Sequence, residues 1–338
     1  MLTTPANEHE EIQKPNPPQL SGWNWLPDKP AENSPLFSWP ANPRKIAAWF
    51  LGSYATLSIR TFVLALALVS WLFLTPGPEV AMVLAPGWVL GLFGRNLAMM
   101  LIIAGGLHLY FYTLRKQGTE RKFDKREMAK GVATFKFKDQ ALDNMYFSLV
   151  YGVTFWTMLE VGILWLFANE YVSVLSWNEN PVWFLAVLFL IPIWHSFHFY
   201  WIHRLLHWKP LYKTVHSLHH RNVNIGPWSG MSMHPAESLI YLTSVLIHLV
   251  VLSSPFHVVY HLQFLIFNAV IAHSGFESLL VKDREVVHVG RFHHQLHHRY
   301  FECNYGNGEM PWDAWFGSFH DGTAESHERF TERRRKMA

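Results

Sequence analysis

Long apolar runs set the first limit on what this chain can fold into. Runs at 62–75, 97–114, 147–168 and 182–202 carry one ionised side chain between them, Glu160. A bilayer core about 30 Å thick is crossed by roughly 20 helical residues, and in lipid a helix satisfies its own backbone polar groups. The last two runs are long enough alone. The first is short and spans only if its helix starts earlier or bends. A fifth stretch, 238–272, is too long for one span. Ser253-Ser254-Pro255 interrupts it, because proline has no backbone donor, so it reads as a hairpin of two helices or a re-entrant pair. The predicted fold class is an all-α integral membrane protein, with about four transmembrane helices plus a hydrophobic helical hairpin. Composition agrees: half of the 338 residues are hydrophobic and 16% are charged, against about 25% in ordinary soluble domains.

Charge placement gives an orientation. The segment 115–140 holds nine Lys or Arg, the loop 169–181 holds none, and only Arg95 falls between the first two runs. The positive-inside rule puts 115–140 in the cytoplasm, and counting spans puts the N-terminus and everything after 202 there too. The start, "MLTTPANEHEE", is acidic where a secretory signal would be basic. Residues 1–45, with nine of the 19 prolines, read as a disordered or extended cytoplasmic arm whose Trp23, Trp25, Phe37 and Trp39 meet the membrane interface. Residues 46–140 are then N-terminal membrane helices with a basic loop, 81–93 an interfacial connection, and 321–338 a basic tail near anionic headgroups. A net charge of +3 suggests no nucleic-acid partner, and the single Cys303 excludes an internal disulfide or a multi-thiolate metal site.

Seventeen of the 21 histidines lie between His195 and His298, in patterned groups: "HRLLH" (His203, His207), "HSLHH" (His216, His219, His220) and "HQLHH" (His294, His297, His298). On a helix, positions i, i+3 and i+4 share a face, with β-carbons about 5–6 Å apart, so such imidazoles can grip one metal ion. His203 sits where the fourth run ends, and the hairpin returns the chain so that His273 emerges on the same side. Eight patterned histidines plus His273 exceed what one ion uses, and two ions are the natural count. These groups form a histidine-rich helical cap, predicted to be cytoplasmic. His248, His257 and His261 read as hydrogen-bonded packing residues, and His195 and His198 as partners of the ligands or lining of the bundle. Imidazole suits zinc, copper, iron or nickel alike. No H-E-x-x-H and no paired Glu-x-x-His occurs. A metal transporter or sensor is the competing class, although transporters place their ligands near the bilayer midplane.

Taken in order, "HRLLH", "HSLHH", "HPAE" at 234–237, "HSG" at 273–275, "HHQLHH" at 293–298 with "NYG" at 304–306, and "WDAWFGS" at 312–318 resemble the fatty acid hydroxylase/sterol desaturase superfamily of membrane non-haem di-iron oxygenases. The resemblance covers roughly residues 145–320 and makes 141–320 the catalytic domain. It implies His203, His207, His216, His219, His220, His273, His294, His297 and His298 as ligands of two non-haem iron ions. It leaves His293 outside that set, and gives His234, Glu237, Asn304 and Tyr305 supporting roles. Some members carry a further histidine where this chain has Glu277, so a carboxylate or water takes that place. The implied reaction uses O2 and external electrons on an unactivated C–H bond of a membrane lipid (fatty acyl, sterol or amino-lipid). Hydroxylation is the leading outcome and desaturation at the same site the alternative. With no b5-like segment, ferredoxin cysteines or dinucleotide fingerprint in view, the electrons come from an external reductase or small carrier, for which the basic loop 115–140 offers a dock. A bacterial inner membrane is the expected location, with the endoplasmic reticulum second.

Overall fold

The computed structural model describes residues 23–54 and 56–337, excepting the side chains of 334, 336 and 337. Helices Pro43–Tyr54 (α1) and Ile59–Leu74 (α2) form a pair bent by 42° that passes as one span only when joined. Four further helices among the described residues are each long and apolar enough to cross a membrane: Pro86–Thr113 (α3), Gln140–Ala168 (α4), Pro181–Leu206 (α5) and Pro255–Ala272 (α7). Between the last two lies Pro235–Leu242 (α6), continued to Leu249 as a tighter helix. The remaining elements are short helices, a two-stranded antiparallel hairpin, Ser278–Val281 with Arg284–His288, and the helices Phe292–Tyr300 (α8) and Ala324–Met337 (α9).

The hairpin expected over 238–272 is α6 and α7, and its break falls at the predicted serines. Ser254 caps α7, its hydroxyl accepting from Phe256 N while the His257 side chain accepts from Ser254 N, and Pro255 follows at the first helical position. About 94% of the apolar window of α7 is buried inside the protein, so this helix is the axis of the bundle and not a lipid-facing span. It packs on α2, α4 and α5. Lipid tails are as apolar as leucine, so helix association leans on close packing and polar contacts. Gln263 Nε2 donates to Ser70 Oγ of α2 at 2.8 Å, and Tyr241 Oη donates to Leu265 O at 2.7 Å. Gly230 lets the turn Pro227–Met231 touch α7 backbone to backbone. A Cβ there would lie 2.6 Å from Ala269 O.

Three expectations need correction. Residues 86–93 are not an interfacial connection. Pro86 stands at the start of α3, where a missing donor costs nothing, and Gly87 is tolerated in its first turn. Arg95 consequently lies inside a helix and not in a loop. It donates to both carboxylate oxygens of Glu160 on α4 at 2.5 Å, with Asn96, Thr157 and Thr75 completing a buried polar knot. Of the arm expected to be disordered, residues 1–22 lie outside the described residues, but from Trp23 onward the chain is folded onto the cap. Asn24 N donates to Phe123 O, the Trp23 ring meets Phe292 edge-on at 5.3 Å, and Trp25 Nε1 donates to Glu277. Trp39 remains exposed, whereas Phe37 packs on Trp315.

Leaving one partner of a buried ion pair unpaired costs about 3–5 kcal/mol. Glu160→Leu should therefore lower the detergent-solubilised unfolding temperature clearly, and adding Arg95→Met should recover most of the loss. Equal stability of the single and double variants would contradict the pairing.

Candidate metal centre

His203, His207 and His273 sit at helix ends. His203 lies in the last turn of α5 and His207 caps it, its N–H donating to His203 O. Cationic charge is favoured at that negative helix terminus. The chain turns at Pro210 and winds through one wide turn, Tyr212–His216, of the kind frequent at functional sites, into Ser217–His220. His273 caps the C-terminus of α7. Gly275 follows with φ +80°, where a side chain would collide with Tyr112 Oη and Ile225 O, which accounts for the glycine of "HSG". α8 carries the rest.

The nine histidines fall into two groups, each with one ring nitrogen per residue and all of those within 4.8 Å of one another: His203, His207, His216, His220 and His297 in one, His219, His273, His294 and His298 in the other. The boxes interleave. "HSLHH" sends its i and i+4 members to the five-membered group and its i+3 member to the other. "HQLHH" does the reverse, so each box binds both groups together. All nine are buried except the partly exposed His207.

Tautomers follow from the partners. His203 Nδ1 donates to Tyr305 O at 2.7 Å, His273 Nδ1 to Ala269 O at 2.7 Å, His297 Nδ1 to Cys303 O at 2.6 Å, and His219 Nδ1 to Ser232 O at 3.2 Å. His216 Nδ1 shares a hydrogen bond with Glu237 Oε1 at 2.7 Å, where burial raises the Glu237 carboxyl to about 8. With the proton on Nδ1, the four rings that donate to carbonyls keep a bare lone pair on Nε2. Across the two groups Nε2 atoms face one another at 3.0–3.1 Å: His203 to His216, His207 to His216 and His220, His220 to His297, and mutually among His273, His294 and His298. Wherever both facing nitrogens are unprotonated, their lone pairs repel unless a cation lies between them. An ion bound at right angles to nitrogens 3.0–3.1 Å apart sits about 2.2 Å from each, close to the roughly 2.0–2.1 Å of imidazole–zinc bonds. The donor set fits two transition-metal ions. Burial holds His216 down to about 3 and His219 to about 4, with His220, His294, His297 and His298 also well below their ordinary value. All six are therefore neutral, as ligands must be.

The other singled-out residues divide. Glu237 reaches the five-membered group through His216, and His234 caps α6 by accepting from Ala236 N, setting Glu237 one turn on. Tyr305 contributes its carbonyl, and its ring lies 4.9 Å from that of His207. Asn304, at φ +54°, ties His293 O and His320 O and accepts from His320 N, holding the loop whose carbonyls anchor His203 and His297. His293 stacks on Phe319 and faces Asp313, outside both groups. Glu277 takes no tenth place: its Oε2 accepts from Trp25 and Arg121, away from the histidines. His248, His257 and His261 join neither group, and His248 and His261 bond each other at 3.0 Å. Sequence reading missed the anchoring carbonyls of Ser232, Ala269, Cys303 and Tyr305. Backbone acceptors carry no residue signature, and only Ala269, four before His273 on a helix, could have been found by spacing.

A mostly apolar cavity opens beside the histidines, lined by His203, His216, His219, His273 and His294 together with Phe199, Leu206 and Tyr241.

Residues 186–318 match the family model for fatty acid hydroxylase. The chain is 27% identical to a Delta(7)-sterol 5(6)-desaturase of Gibberella zeae over 68% of each chain. It is 34% identical to the Delta(7)-sterol 5(6)-desaturase of Eremothecium gossypii over 45% of this chain and 41% of that protein. It is 32% identical to methylsterol monooxygenase 1 of Gallus gallus over 44% of this chain and 52% of that protein. The chain thus spans about two thirds of the first and about half or less of the other two. No solved structure matches it.

Because the boxes interleave, metal stoichiometry is the direct check on this geometry. Chain purified from iron-replete cells should hold two ions. Glu237→Ala, which frees the His216 ring without removing a ligand, should weaken retention of the ion in the five-membered group by about 10–100-fold and leave the other in place. Unchanged retention of both would contradict the role of Glu237.

Proposed function

We propose that this chain, which belongs to the fatty acid hydroxylase/sterol desaturase superfamily, is a membrane-bound, O2-dependent oxidoreductase that oxidises a C–H bond of a lipid, with a sterol-like substrate the leading class. The observation that carries the reading is the pair of histidine groups placed on the wall of an apolar cavity. Two iron ions held there would supply O2 activation and the removal of hydrogen from an unactivated carbon. The chain's residues do the rest. The Nδ1 anchors hold each imidazole in one orientation, Glu237 fixes His216, and Phe199, Leu206 and Tyr241 keep water from the substrate carbon. All nine side chains have neutral imidazoles to offer, which leaves the charge of the ions available for the oxidant.

Hydroxylation is the first reading. Desaturation at the same site is the second, and the specific observation in its favour is that the relative sharing 68% of both chains is named a desaturase. A transporter or sensor is disfavoured because the ligands stand at the ends of α5 and α7 and beyond, not at mid-helix. Electrons would come from an external reductase or small carrier. Seven of the nine Lys or Arg of 115–140 are exposed, all but Arg121 and Lys122, which suits docking of an acidic carrier. The multi-pass architecture makes the chain an integral membrane protein. A cytoplasmic site follows from the basic loop, and the eukaryotic relatives lend support to the endoplasmic reticulum and none to a bacterial inner membrane.

Given a reductant, an electron carrier and lipid, the purified protein should consume O2. His219→Ala and His297→Ala, one from each group, should both fall to background while still inserting into membranes, and His257→Ala should keep most activity. Full activity in either ligand variant, or stoichiometric zinc without oxygen uptake, would contradict the reading. Mass spectrometry of lipid extracts from cells with and without the chain separates its two forms: one added oxygen for hydroxylation, two lost hydrogens for desaturation.

A further inference from the structure

Two stretches outside both histidine groups, "NYG" and "WDAWFGS", are tied together at one carboxylate. Asp313 is 3% exposed and opens the short helix Trp312–Trp315. Its Oδ1 accepts from Tyr305 N at 2.8 Å and from Ser318 Oγ at 2.7 Å, and its Oδ2 accepts from Gly306 N at 2.8 Å. His293 Nε2 lies farther off, 3.6 Å from Oδ2. Aromatic neighbours hold the carboxylate against α5. Trp312 and Phe316 both stack on Tyr200, each at 5.8 Å, and Tyr200 stands one helical turn before His203. The contact also accounts for the glycine of "NYG", since a Cβ on Gly306 would lie 2.9 Å from Asp313 Oδ2.

One peptide unit carries both ends of the connection. The Gly306 N–H that donates to Asp313 belongs to the same planar amide as the Tyr305 carbonyl, which accepts from His203 Nδ1 at 2.7 Å. The order of contacts is carboxylate, peptide N–H, peptide C=O, imidazole Nδ1–H, with His203 Nε2 turned towards His216 Nε2 at 3.1 Å. An amide is a resonance hybrid, so an anion at its N–H shifts electron density onto its oxygen. Hydrogen bonds in such a chain strengthen one another by about 10–30% each. A stronger acceptor at Nδ1–H makes the ring a more basic ligand through Nε2. The other carbonyl anchors lack this backing. The amide of Cys303 donates through Asn304 N to Ser318 O at 2.9 Å, and that of Ser232 through Met233 N to Met231 O at 3.1 Å, both neutral carbonyls. The amide of Ala269 lies within α7, where N–H groups are spent on the helix itself.

We propose that Asp313 is a positioning residue for the metal centre, acting on His203 through the peptide between Tyr305 and Gly306. It does at one remove what Glu237 does by direct contact with His216, and both of those histidines belong to the five-membered group. This role rests on the two-ion reading of the histidine groups and concerns only the ion in the five-membered group.

Mössbauer spectroscopy of the iron-57-loaded, detergent-solubilised protein, with iron retained after dialysis against a chelator, tests the role without turnover. Glu237→Ala marks which signal belongs to the five-membered group. Asp313→Asn keeps the size of the side chain and removes its charge. It should change the quadrupole splitting of that same signal, weaken retention of that ion about tenfold, and leave the other ion's signal and retention unchanged. Gly306→Ala, whose added carbon pushes Asp313 Oδ2 off the bridging N–H, should do the same. Ser318→Ala takes an equally short hydrogen bond from Asp313 but leaves the bridging peptide in place, and should change neither signal. A mere strut for the loop would respond alike to Asp313→Asn and Ser318→Ala. That equal response, joint loss of both ions, or an unaltered five-membered-group signal in Asp313→Asn would overturn the proposal. If one of Asp313→Asn and Gly306→Ala fails to fold, the other decides, and collapse of both overturns it. Two ions in the unsubstituted protein with no effect of Asp313→Asn would sink this role and spare the metal centre, whereas an unsubstituted protein without iron in the five-membered group would sink the metal centre itself.

Discussion

The structure depends on nine imidazoles whose ring nitrogens are turned on one another in two buried groups. They converge, and the carbonyls of Tyr305, Cys303, Ala269 and Ser232 fix the proton of four of them on Nδ1, while Glu237 holds His216. The opposing Nε2 atoms stand 3.0–3.1 Å apart. A fold that brought so many acceptors together without a cation would carry the full penalty of burying them unpaired. Two cations bound there would link segments from residue 203 to residue 298. Folding of the cap and loading of the metals are in this account one event.

The membrane helices exist to deliver those segments to one place. α5 ends in the first box, and α7, sheathed by protein, ends in His273. The hairpin return is set by Ser254 and Pro255, and the close passage at Gly230 lets the intervening turn reach the α7 backbone beside the carbonyl that anchors His273. Because "HSLHH" and "HQLHH" each contribute to both groups, neither group can be assembled without the segments that build the other. The apolar cavity lies between α5, α6 and α7, so the elements that position the ligands also shape the space for a lipid.

Much of this was legible in the residues. Apolar runs of the right length located α4 and α5, and the proline after two serines located the break between α6 and α7. The histidine spacing singled out eight members of the two groups, and the return of the hairpin pointed to the ninth, His273. What stayed hidden has physical causes. Pro86 and Gly87 look like breakers but begin α3, because proline is neutral in the first helical turn. Arg95 counted as a loop charge only because its partner, Glu160, is 65 residues away. Trp23 and Trp25 looked like membrane-interface anchors, whereas their rings cover α8 and Glu277. Sequence spacing predicts that i, i+3 and i+4 share a face, but it does not reveal that the i+3 member serves the other group. That division depends on how the helices cross.

The central claim is tested most directly by locating the metal. An iron-edge anomalous diffraction map from crystals of the iron-loaded protein should show two peaks in each chain, one enclosed by His203, His207, His216, His220 and His297 and the other by His219, His273, His294 and His298. A single peak, peaks lying outside these rings, or absorption only at the zinc edge would contradict the account.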